Sequence, residues 1–131
     1  MGEYLEQARE WFERGDHDLE TAQLLYDEGG HADVIAYHIQ QAIEKYLKGY
    51  LVLHGQRPPR IHELDTLLAL ASEFQPGLYP SYVELCERAT RYYIEGRYPP
   101  GPSMEYRRDE IGTDLDQTWQ LVRQIRQVAG C

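Results

Sequence analysis

Apolar residues recur at steps of three and four along almost the whole chain, and nowhere do they alternate in the manner of a strand. That spacing puts them on one face of a helix, so each segment must bury a stripe against another helix. The first stripe runs Leu5, Ala8, Trp11, Gly15, Leu19, Ala22 and Leu25, and Gly29-Gly30 supplies its stop. Within it, Gly15 permits a close helix contact at some cost in helix propensity. A second stripe follows in Ile35, Ile39, Ala42, Ile43, Tyr46, Tyr50 and Leu53. Pro58-Pro59 then forbids continuation, because each proline lacks an amide donor and restricts its predecessor.

A short helix is expected from about Ile61, with Leu64, Leu67, Leu68 and Ala71 inward, before Gln75-Pro76-Gly77 breaks the chain. Pro80 suits the first turn of a fourth helix, whose inward set reads Val83, Cys86, Ala89 and Tyr93. The run Tyr98-Pro99-Pro100-Gly101-Pro102-Ser103 reads as an extended loop. A last helix carries Ile111, Leu115, Trp119, Val122, Ile125 and Ala129. The expectation is an all-α, up-and-down bundle of about five helices, three long and two short. At 131 residues it forms one domain over 1–131.

Charge narrows the function classes. The formal net charge is −9, which argues against a protein that coats DNA without specificity. The charge is not uniform, however. Residues 1–33 hold ten acids and two bases, a net of −8, whereas Arg88 to Arg108 holds five arginines and two acids, a net of +3. No apolar run approaches a membrane span, and the start MGEYLEQAREW lacks the pattern of a secretory signal, so a cytoplasmic protein away from membranes is expected. Cys86 and Cys131 have no metal-ligand spacing, and the five histidines lack an HExxH arrangement. Neither a metal nor another cofactor is expected.

Two stretches carry chemistry. The second helix has a polar pattern in His38, Gln41, Glu44, Lys45 and Lys48; its residues His38, Gln41, Lys45 and Lys48 form one stripe, read most simply as a solvated flank. The segment Tyr79 to Arg108 interleaves six tyrosines with the five arginines, a combination that binds phosphates and stacks bases. The same residues also suit a packed interface, with the arginines pairing the acidic first helix.

The run His38-Ile-Gln-Gln-Ala-Ile-Glu-Lys-Tyr-Leu-Lys48, then Leu53-His-Gly55, Pro58-Pro59 and His62-Glu-Leu64, resembles the HEPN domain family. Arg91-Tyr-Tyr and Arg97-Tyr98-Pro99 are similar to the family's later RYP segment. The resemblance implies a small helical bundle, often a homodimer or larger homo-oligomer. Many members are encoded beside a minimal nucleotidyltransferase in a toxin–antitoxin-like pair. Some are metal-independent ribonucleases with an R-x4-6-H motif, in which arginine stabilises charge on the phosphate and histidine exchanges a proton.

Arg57-Pro-Pro-Arg-Ile-His62 satisfies that expression but precedes the third helix, whereas the family motif lies in the last third of the chain. No histidine follows His62. The expectation is therefore a protein that binds a nucleotide or RNA, or pairs with a nucleotidyltransferase, through Arg91, Arg97 and Tyr98, with Lys45 and Lys48 contributing. His62 reads as a residue that caps or packs a helix entry. The alternatives are a ribonuclease toxin acting through Arg57 and His62, and a purely structural interaction module.

Overall fold

The computed structural model describes residues 2–97 and 106–130, at 94–97 the backbone alone. Five helices follow in order: α1 Gly2–Asp27, α2 Ala32–Leu53, α3 Leu64–Ser72, α4 Leu78–Arg97 and α5 Arg108–Ala129. Among the described residues there is no strand. The all-α bundle is thus present, but four helices are long, with 26, 22, 20 and 22 residues, and only α3 is short at nine. The difference lies in α4, which accepts Pro80 in its first turn and continues unbroken to Arg97. The loop expected from Tyr98 to Ser103 lies outside the described residues.

α2 is the central helix. It touches α1, α3, α4 and α5, while among the described residues α1 and α4 do not meet. Contact on several sides explains why Ala36, Leu47, Leu51 and Val52 are buried beside the expected stripe. The stripe of α1 likewise includes Phe12, which is fully buried, while Trp11 is half-buried. In α4 the inward face is rotated from the expected set. Tyr82, Leu85, Cys86, Ala89 and Tyr92 are buried, whereas Val83 and Tyr93 sit at its edge. Burial pushes the Cys86 thiol up to about 12, with Asp65 acting in the same direction, so thiolate chemistry at neutral pH is not available there.

The third helix starts at Leu64, not near Ile61. Ile61 lies before the helix, after the two prolines, and packs against the core from there. The first amide of α3 is satisfied from another helix, for the Leu64 N–H donates to Thr90 Oγ1 at 2.9 Å. Neither Glu63, at the N-cap position, nor His62 supplies a side-chain cap, so of the two roles expected for His62, capping or packing the helix entry, capping is not the one observed.

The α1–α2 contact depends on two missing side chains. A Cβ added at Gly15 would lie 2.7 Å from the Tyr46 ring, and one at Gly49 would lie 2.8 Å from both the Phe12 ring and Trp11 Cβ. Phe12 and Tyr46 stack on each other at 4.9 Å, so neither ring can retreat without disturbing the other. Gly49→Ala should therefore destabilise the protein by about 1–3 kcal/mol, as overpacking does. The check is a lower urea midpoint at unchanged slope. Gly77→Ala is the control; nothing lies within 4 Å of its added Cβ, and it should be neutral or slightly stabilising.

Among the described residues, the carboxylates of the acidic first helix find cations, but not the arginines expected to pair with them. Asp18 binds Lys45 of α2, and Asp16 binds Arg126 of α5 at 2.5 Å. Arg88 goes instead to Asp114, and Arg107 to Asp109. Arg108 does reach α1, where it donates to the carbonyl of Tyr26 and lies over the Tyr26 ring. It thereby meets the carbonyl-rich C-terminal end of that helix and not its carboxylates.

Candidate functional site

The polar pattern on α2 is not a solvated flank. Glu44 is only 8% exposed and Lys48 only 7%, and a buried charge needs partners. Glu44 Oε2 accepts from Lys48 Nζ at 3.0 Å. Its Oε1 accepts from Gln40 Nε2 at 2.9 Å and lies 2.9 Å from His62 Nδ1. Gln41 extends the chain outward by donating to Gln40 Oε1 at 2.7 Å. Burial alone would raise the Glu44 carboxyl, but the bonds from His62, Gln40 and Lys48 prevail and hold it below the usual carboxylate range.

His62 joins three elements. Its Nδ1 meets Glu44 of α2, its ring stacks on Tyr93 of α4 at 4.2 Å and 18°, and its backbone leads into α3. The loop before it is thus fixed at its far end, while the Gln56 N–H bonded to the Leu51 carbonyl fixes the near end. Between these anchors, Arg57 and Arg60 flank Pro58-Pro59 around a shallow depression. Both arginines are exposed, and among the described residues neither has an ion-pair partner.

A second carboxylate–histidine–lysine cluster lies on the α1 side of α2. Asp18 Oδ1 is 2.8 Å from His38 Nδ1, and its Oδ2 takes Lys45. Lys45 and Lys48, both expected to bind ligand, are therefore each committed to a carboxylate. Arg91 is exposed on α4 beside Glu84, Glu87 and Arg88. Arg97 lies six helical steps further on, which sets the two positions about 120° apart around the axis. Position 97 instead follows Tyr93 by four residues, on the face that packs against His62. Tyr98 lies outside the described residues. Sequence reasoning missed Tyr93 as a site residue, Arg60, and the role of Glu44. The only local signal was the four-residue spacing of Gln40, Glu44 and Lys48.

Among the described residues no three His, Cys, Asp or Glu side chains gather as a metal ion would require, and no helix is long and apolar enough to cross a membrane. The fold is similar to the crystal structure of TT1696 from Thermus thermophilus, with a TM-score of 0.77 and 29% identity over 92% of this chain and 97% of that one. No curated protein matches the chain. Residues 8–127 match the HEPN domain, almost the full length of the described helices, and the chain belongs to the HEPN domain family.

Proposed function

We propose that this HEPN protein binds a phosphate-bearing ligand, a nucleotide or RNA, on the surface made by the α2–α3 loop and the Tyr93 face of α4. In this reading it works as a homodimer or larger assembly, beside a minimal nucleotidyltransferase in a toxin–antitoxin-like pair. It lacks the family's late arginine–histidine ribonuclease dyad, since no histidine follows His62. The observation that carries the reading is the pair Arg57 and Arg60, exposed cations without a carboxylate partner among the described residues, in a chain of net charge −9. They sit on a proline-stiffened loop held by His62, so little conformational freedom is lost on binding. Arginine suits the role because its planar fork matches phosphate oxygens.

Calorimetry with ATP and with a short RNA tests this directly. Arg57→Ala together with Arg60→Ala should weaken binding by at least about tenfold, the worth of one hydrogen bond to a charged group. Higher salt should weaken the wild type more than the double variant. Arg91→Ala, on the other side of α4, should change little. Binding that ignores Arg57 and Arg60 would remove the reading, and no binding at all would favour a purely structural module. RNA cleavage by the purified protein, abolished by His62→Ala, would establish the catalytic alternative instead.

A further inference from the structure

We propose that His62, positioned by Glu44, makes this surface select ribose over deoxyribose by accepting a hydrogen bond from a ligand hydroxyl. The inference rests on the phosphate-binding reading above and names the part of the ligand that lies beside the phosphate.

Held ionised by Gln40, Lys48 and His62, the Glu44 carboxylate can only accept hydrogen bonds. The 2.9 Å contact therefore requires the proton of a neutral His62 to reside on Nδ1. The other nitrogen, Nε2, is then a bare acceptor. Nothing among the described residues bonds it, and the side chain is 46% exposed. Tyr93, stacked on the ring, fixes the ring plane as Glu44 fixes the tautomer.

The loop thus presents two kinds of group. Arg57 and Arg60 offer donors, which suit phosphate oxygens. His62 offers a lone pair, which repels a phosphate oxygen and needs a donor opposite it. Arg60 and His62 are two residues apart with a bend at Arg60, so their backbones lie no more than about 7 Å from each other. A ligand meeting both must place a hydrogen-bond donor one short step from a phosphate. The 2′-hydroxyl of a ribonucleotide does so, and it is the group by which a protein tells RNA from DNA.

The test uses the full chain and two oligomers of equal length, oligouridine and oligodeoxyuridine, which share every base donor and differ in the 2′-hydroxyl. In mildly alkaline buffer the wild type should prefer the ribo-oligomer by about three- to tenfold, the range of one neutral hydrogen bond. His62→Phe keeps a ring against Tyr93 but has no acceptor, and it should bring the two affinities together while both stay salt-dependent. Glu44→Gln puts an amide opposite Nδ1 that can either donate or accept, so the tautomer is no longer dictated and the preference should shrink. Should His62→Phe fail to fold, the Glu44→Gln result decides. Equal wild-type affinities, or a preference that survives both substitutions, would overturn the role of His62 while leaving phosphate binding intact. Absence of binding to either oligomer would overturn the phosphate reading and this inference together.

Discussion

Glu44→Ala should lower the unfolding free energy by about 3–5 kcal/mol, the usual cost of removing one partner from a buried charge pair. The loss exceeds that of a surface ion pair because Lys48 is only 7% exposed and would be left with no carboxylate beside it. Gln40 and His62 would also lose their shared acceptor. The far end of the loop holding Arg57 and Arg60 would then lose its bond to α2 and keep the stack on Tyr93 of α4. Glu44→Leu combined with Lys48→Leu should recover much of the stability, because no buried charge remains. Recovery of stability without recovery of nucleotide binding would separate the two roles of the network.

The pH dependence follows with a definite sign. Glu44 has a lowered pKa in the folded protein against a reference of 4.5. Its contribution is fully present above that reference and is lost as the pH falls through the lower folded value. Urea titrations from neutral pH into acid should show the wild type losing stability below about pH 4.5 more steeply than the double leucine variant.

Helix class and order were legible because the three-four spacing is a property of single segments, and Gly29-Gly30 and Pro58-Pro59 punctuate them locally. The rotation of α4 was not legible. Tyr82, Leu85 and Tyr92 turn inward because α2, α3 and α5 cover that face, and nothing in the spacing of Val83, Cys86, Ala89 and Tyr93 excludes the neighbouring register. The site shows the same division. Glu44 and Lys48 are four residues apart, so their pairing can be read on a helical wheel. His62 is 18 residues from Glu44 and 31 from Tyr93, and only the packed fold joins the three. The charges behave likewise. The arginine stretch and the acidic first helix look complementary as totals, yet Arg88 turns to an aspartate that composition gave no reason to single out.

That aspartate carries the other large effect. Asp114 is 1% exposed on α5, and both of its oxygens face α4. Oδ1 accepts from Arg88 Nη2 at 2.7 Å and Nε at 3.1 Å, and Oδ2 accepts from Tyr92 Oη at 2.6 Å. Asp114→Ala should cost about 3–5 kcal/mol, since it strands a half-exposed guanidinium and leaves a buried phenol without its acceptor. Asp114→Asn retains a carbonyl for one of the two partners and should cost less. Arg88→Met with Asp114→Leu should restore part of the loss, provided that Tyr92→Phe removes the orphaned hydroxyl as well. The phenol supplies an independent readout. Burial first, and then the bond to Asp114, push the Tyr92 hydroxyl far above its ordinary value of 10.0. A raised folded pKa stabilises below the unfolded value and ceases to do so as the pH rises, so the protein should lose stability above about pH 10. Tyrosinate absorbance should rise in two stages, with Tyr92 ionising only as the bundle opens. In Tyr92→Phe the second stage should shrink and the alkaline loss of stability should be smaller. A wild type whose tyrosines all ionise before unfolding would show that the Asp114–Tyr92 contact does not hold α4 against α5.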